Sequence, residues 1–317
     1  MKLRTFYELA VKKGMKADMR KDNQVKATLS GARSEYKKAK GVDRRYFDKA
    51  ALSNPYYDTR ILSGTGEEEV CTVMAGIDID VGEILLADRL REKGVKIDLV
   101  VSHHPAGRAY AELNRVMEIQ PSLWERYGFD PEVASKLMKK RSEEVSRGIS
   151  AANHQRAVDA ARILGIPFMC IHTAADNCVA SYLQGIFDKK KPGTLKNALG
   201  ILKAIPEYKD AVKNGAGPHI LIGKETDKAG RIFVDMTGGT SGPDKMFSRL
   251  SQAGVRTIVG MHCKESAYKE ASSEMVNYII AGHISSDNLG LNLLFDEVEK
   301  SGKLDFVACS GFRRFKR

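Results

Sequence analysis

Five short apolar runs constrain this chain more than anything else in it: Val70-Cys-Thr-Val-Met-Ala75, Ile97-Asp-Leu-Val-Val101, Ile166-Pro-Phe-Met-Cys-Ile171, Val255-Arg-Thr-Ile-Val259 and Tyr278-Ile-Ile-Ala281. Each is too short for an independent helix and rich in branched or aromatic residues, which is the composition of a buried strand. Strands apolar on both faces belong to parallel sheets covered by helices. Residues 82–93 have helical spacing and stop at Gly94, so the first two runs and the segment between them form a βαβ unit. The fold class expected is α/β.

The rest of the chain is arranged around these runs. Residues 1–15 read as an amphipathic helix with Leu3, Phe6, Leu9, Ala10 and Met15 on one face, and residues 16–66 as short helices and loops. Residues 108–164 are charge-rich and helical, punctuated at Pro121, Gly128, Pro131 and Gly148, with the last helix running from about Ser150 to Leu164. Helices are expected between Ala180 and Lys213, broken by a surface turn at Lys189-Lys-Lys-Pro-Gly193. His219–Gly223 and Arg231–Met236 read as a hairpin about a polar turn. The division expected is a basic N-terminal extension over 1–66, a first α/β half over 67–190 with a helical insertion at about 108–150, and a second half over 191–317 with a basic tail. No internal repeat is visible in the sequence.

A length of 317 residues, 43% of them hydrophobic, supports a large core in one or two domains. No apolar stretch approaches the roughly 20 residues of a membrane helix, and no signal core is present, so a cytoplasmic protein with no membrane partner is expected. The five cysteines lack any Cys-x-x-Cys pair and read as reduced core residues. The net charge of +11 is concentrated at the ends: residues 1–50 hold 15 Lys and Arg against 6 Asp and Glu, and Arg313-Arg-Phe-Lys-Arg317 adds four more positive charges. With few interleaved aromatics, these ends read as solvated charge, and nucleic acid is not favoured as a partner.

The chemistry lies at the strand ends. Of seven histidines, His103, His104, His172 and His283 directly follow apolar runs. In parallel sheets, ligands bind beyond the carboxyl ends of the strands, where residues distant in sequence meet. Pro105 can turn both imidazoles of the His103–His104 pair toward one cleft. His172 and Asp176 are four apart, as are His283 and Asp287, a spacing that joins one face of a helical turn. Imidazole and carboxylate without thiolate suit zinc, manganese, iron or cobalt in an open, catalytic type of site; structural zinc uses closed, thiolate-rich sets. Arg108 and the turn Thr237-Gly-Gly-Thr240-Ser241-Gly-Pro243 are candidate contacts for an anionic substrate.

The ordered blocks Ser-His-His-Pro at 102–105, His172-Thr-Ala-Ala-Asp176 and Gly282-His-Ile-Ser-Ser-Asp287 resemble those of the NGG-one-interacting factor three (NIF-three-like) family, whose bacterial members are often labelled GTP cyclohydrolase type 2 homologues. The resemblance covers roughly residues 68–107, 150–185 and 230–300. It implies two similar α/β halves, a site for two divalent metal ions at the strand ends and a ring-shaped homohexamer. By the same resemblance the metal ligands are His103, His104, Asp176, His283 and Asp287, with Asp287 as the bridging carboxylate and His172 as a further candidate. The family usually has glutamate where Asp287 stands, and the apolar residues that commonly follow His-His-Pro are replaced by Ala106-Gly-Arg-Ala-Tyr110. The function expected is a metal-dependent hydrolase of a phosphate- or nucleotide-like substrate. The alternative is a non-catalytic, metal-binding adaptor that engages a protein or nucleic acid through its basic ends.

Overall fold

The computed structural model describes residues 1–317. The first half comprises α1 (Leu3–Ala17), α2 (Asp22–Lys38), α3 (Gly41–Arg45), β1 (Thr59–Ser63), β2 (Thr72–Gly76), α4 (Val81–Glu92) and β3 (Leu99–Ser102). The inserted helices α5 (Gly107–Ala111), α6 (Leu113–Val116), α7 (Ile119–Glu125) and α8 (Pro131–Ile149) follow, then α9 (Arg156–Ile163), β4 (Phe168–Ile171) and α10 (Thr173–Lys190). The second half comprises α11 (Leu195–Lys203), α12 (Pro206–Lys213), β5 (His219–Ile222), β6 (Arg231–Asp235), α13 (Met246–Gln252), β7 (Val255–Gly260), α14 (Glu265–Ser273), β8 (Asn277–Ile280), α15 (His283–Val298) and β9 (Asp305–Ala308).

All five apolar runs are strands, and β2, β3 and β4 are parallel neighbours, as are β6, β7 and β8. One sheet has the order β1-β4-β3-β2-β9 and the other β5-β8-β7-β6. In each, the first strand of the half is an antiparallel edge beside the fourth. The two halves therefore share one strand order, and β9 extends the first sheet by pairing in parallel with β2.

Residues 219–236 do not form a hairpin. β5 pairs with β8 and β6 with β7, at opposite edges of the sheet. The link between them runs under the starts of the two central strands, where Asn277 Nδ2 donates to Lys228 O and Thr257 Oγ1 donates to Ala229 O. Two punctuation signals also mark no break. Pro121 sits in the first turn of α7, where a missing N–H costs no helical bond, and Gly148 lies in the last turn of α8. The helix expected from Ser150 starts only at Arg156.

α1 buries Leu3, Phe6, Tyr7, Ala10, Val11 and Gly14 against the core that also holds Ala174 and Phe295; of the face that the sequence pattern marks, Leu3, Phe6 and Ala10 are buried and Leu9 and Met15 partly so. A Cβ on Gly14 would lie 2.6 Å from Ala174 Cβ, and one on Gly290 would lie 2.6 Å from Ala175 O. These glycines let α1 and α15 close onto α10. The basic tail is docked as well: Phe312 is fully buried, Arg314 pairs with Asp296 and Glu299, and Arg317 Nη2 donates to the buried Glu207 at 2.6 Å. No helix is long and apolar enough to cross a membrane.

Candidate metal centre

The ladder between β2 and β3 continues past the strand ends. His103 N donates to Gly76 O and His104 N to Ile77 O, both at 2.9 Å, while Ser102 Oγ donates to His104 O at 2.6 Å. The backbone of the histidine pair is thus held by the sheet, and both rings enter one cluster with centroids 5.3 Å apart. His172 caps the N-terminus of α10, which carries Asp176 one turn on. His283 opens α15 after Gly282, whose φ of +107° suits a residue without a Cβ, and Asp287 follows on the same face.

His103 Nε2 lies 3.3 Å from Asp176 Oδ1 and 3.4 Å from Asp287 Oδ1. The other Asp287 oxygen, Oδ2, is 3.5 Å from His104 Nε2 and 3.7 Å from His283 Nε2. His172 Nε2 is 3.8 Å from Asp176 Oδ2. Three ligand groups result, His103–Asp176–Asp287, His104–His283–Asp287 and His103–His104–His172, each with its ligand atoms within 4.8 Å of one another. The structure therefore brings all six sequence-marked residues together.

The donor set fits a metal. Both ring nitrogens of His103, both oxygens of Asp287 and Oδ1 of Asp176 are buried with no hydrogen-bond partner in the protein. Buried polar atoms are rarely left so, and a buried carboxylate without a cation is costly. Burial opposes charge on His103, but the Asp287 and Asp176 carboxylates outweigh it and raise its pKa to about 10. Burial and the neighbouring His103 and His172 hold His104 below the ordinary histidine value. The pocket thus attracts positive charge while keeping a neutral imidazole as donor.

Two orienting groups were missed in the sequence. His172 Nδ1 pairs with Asp58 Oδ2 at 2.8 Å, and Asp58 also accepts from Thr173 Oγ1 at 2.6 Å. His104 Nδ1 pairs with Asp78 Oδ1 at 2.7 Å. Each aspartate holds one ring nitrogen and leaves Nε2 for the cluster, the usual support of a metal-binding histidine. Asp78 and a third missed residue, His262, whose ring lies 5.0 Å from that of His283, follow β2 and β7. The strand-end criterion that found the ligands would have found both. Asp58 lies in a non-periodic stretch just before β1 and gives no such signal.

Thr240 and Ser241 line the cleft that reaches His172, Asp176, His283 and Asp287. Arg108 does not join them. It faces Glu112 and Tyr46 O and lines a separate cavity with Arg4 and Arg60.

No protein-family model matches the chain, and no curated protein matches it. Among solved structures, a NIF3 superfamily protein from Sphaerobacter thermophilus matches with a TM-score of 0.69 and 24% identity, over 90% of this chain and 97% of that one. Reduced HcgD from Methanocaldococcus jannaschii matches with a TM-score of 0.45 and 14% identity, over 79% and 87%. A Bacillus cereus protein related to NIF3 matches with a TM-score of 0.41 and 11% identity, over 90% and 96%. The first of these likenesses shows that the chain has the NIF3 fold, which is the fold its motifs imply.

Proposed function

We propose that this chain of NIF3 fold is a metal-dependent hydrolase that holds two divalent ions and acts on a phosphate- or nucleotide-like anionic substrate. The carrying observation is Asp287, fully buried, with Oδ1 toward His103 and Asp176 and Oδ2 toward His104 and His283. A carboxylate shared in this way could serve two ions, with His103 and Asp176 the residues that would hold one and His104 and His283 those that would hold the other. His172, ordered by Asp58, stands beside the first pair. Imidazole and carboxylate donors suit zinc, manganese, iron or cobalt. Such ions supply water activated for attack at neutral pH and offset charge that develops on the attacked group.

The protein's own part is placement. The sheet backbone fixes His103 and His104, Asp58 and Asp78 set the ring orientations, and the half-exposed His283 borders the open cleft. The adaptor reading keeps only part of its support: the C-terminal arginines Arg314 and Arg317 are tied to the chain's own Glu299 and Glu207, while most lysines and arginines of residues 1–50 are exposed. A cytoplasmic location and a ring-shaped hexamer belong to the proposal, the latter checked by native mass.

The test is elemental analysis of the untagged protein beside folded His104→Ala and Asp287→Ala variants, followed by a phosphoester screen under the metal found. About two divalent ions per chain, lost in both variants, are expected. A protein that stays metal-free after reconstitution with zinc, manganese, iron or cobalt overturns the proposal.

A further inference from the structure

The cleft that reaches the metal ligands has a second wall, the loop Thr237-Gly-Gly-Thr-Ser-Gly242 after β6. Its root is tied beside Asp176, where Thr237 Oγ1 donates to Asn177 Oδ1 at 2.6 Å. The rest lies against the helical insertion. Gln120, only 2% exposed, donates Nε2 to Gly238 O at 2.9 Å and to Thr240 O at 2.6 Å. Arg141 Nε donates to Ser241 O at 3.1 Å.

In a trans peptide plane the C=O and the following N–H point to opposite sides. Drawing the carbonyls of Gly238, Thr240 and Ser241 onto the insertion therefore turns the amides of Gly239, Ser241 and Gly242 away from it. These three residues line the cleft, and their N–H groups have no acceptor in the protein. The insertion also excludes side chains from the loop: a Cβ on Gly238 would lie 2.5 Å from Gln120 Cγ, one on Gly239 2.6 Å from Val116 Cγ2 and one on Gly242 2.8 Å from Gln120 Oε1. Gly238 and Gly239 have φ of +95° and +84°, which favour glycine independently. Lys264 lines the same cleft, with Nζ 2.9 Å from Asp244 Oδ1. Free amides turned to one side bind anions; here Gly239, Ser241 and Gly242 are free, while Thr240 N donates to Gly238 O at 3.1 Å and closes the turn. Asp176 and Asp287, whose unpartnered oxygens are buried, line the same cleft, so the loop and the candidate metal ligands border a common space.

We infer that this loop is an anion cradle for a phosphate group of the substrate, and that Gln120 and Arg141 of the insertion are the positioning residues that build it. The inference rests on the metal-centre reading for the use of the cradle, but not for its existence. It assigns the insertion a role: α7 and α8 from the first half shape a binding loop of the second.

The test is isothermal titration of inorganic phosphate into chelator-treated protein, so that no metal contributes. Wild type binds, and Gln120→Leu weakens binding at least roughly tenfold, the scale of two lost hydrogen bonds. Equal binding by wild type and a folded Gln120→Leu overturns the inference. So does binding that appears only with metal and is lost in Asp287→Ala. If Gln120→Leu does not fold, the amide resonances of Gly239, Ser241 and Gly242 in labelled wild type decide. They shift as phosphate is added, and unshifted amides overturn the cradle. Failure of the metal reading has a different signature, a metal-free protein that still binds phosphate.

Discussion

His172 and His104 each give one ring nitrogen to an aspartate, Asp58 and Asp78, neither of which reaches the cluster itself. Such partners fix the tautomer and ring angle of a ligand, and their loss typically costs tenfold to a hundredfold in metal affinity. Asp58→Asn and Asp78→Asn should each weaken binding by about that factor in competition with a chromophoric chelator, with the stoichiometry unchanged. Asp235, at the end of β6, has a different environment. Burial alone pushes its carboxyl up to about 6 from an ordinary 3.8. The folded state then binds its proton more tightly than the unfolded state, so stability falls as pH rises from about 4 to about 6 and stays reduced above that. Asp235→Asn should accordingly raise stability at pH 7.5 by up to about 3 kcal/mol, less what solvent screens at a residue only partly buried. The gain should shrink as pH drops through 6 and vanish below about 4, as followed by urea melts across that range. At this scale the ligands were legible because each stands at the end of an apolar run. Their partner Asp58 was not, because an acidic residue in an irregular stretch looks like solvated charge, whereas Asp78 follows β2 and lies within reach of the same strand-end criterion.

Helices α1, α10 and α15 meet at glycines, and the closeness of α10 and α15 is what brings Asp176 to Asp287. Alanine at Gly290 would press on the backbone of α10, whereas alanine at Gly14 would press mainly on Ala174 at the α1 crossing. Helix propensity favours both substitutions by up to about 1 kcal/mol, but a contact below 3.0 Å with backbone forces the helices apart, and overpacking of this kind costs about 1–3 kcal/mol. Gly290→Ala should therefore lose both stability and metal affinity, and Gly14→Ala stability alone, as read from thermal melts beside metal titrations. The central strands and the helix patterns around them could be read from the sequence because their periodicity and burial agree. Two outer strands could not: β1 and β9 are partly exposed and no apolar run marks them, whereas β5 was read as a strand. β6 was given the wrong neighbour for a related reason. Its short link to β5 looks like a hairpin, but its buried face gains more from the parallel register with β7 than a turn can supply. The Thr237–Gly242 turn was visible as an anion-binding candidate, while Gln120, which orients it, is separated from it by more than a hundred residues and carries no motif.

Across the whole molecule, the basic C-terminal tail is structural. Arg317 reaches a Glu207 whose side chain is fully buried and otherwise bonded only to Asn292 Nδ2. Arg317→Ala should destabilise the fold by about 2 kcal/mol, below the cost of breaking a fully buried pair because the arginine is a quarter exposed. Glu207→Gln in the same background should restore part of the loss, since it removes the stranded charge. Chemical denaturation of the single and double variants checks both. The two sheets of like strand order also meet at the ligands, with His103, His104 and Asp176 supplied by the first half and His283 and Asp287 by the second. An ion seated there binds only the closed arrangement of the two halves, so its binding free energy adds to the work of separating them. Loaded protein should unfold as one unit. Stripped protein should lose that coupling and open first along the seam, so that metal supply would set resistance to proteolysis.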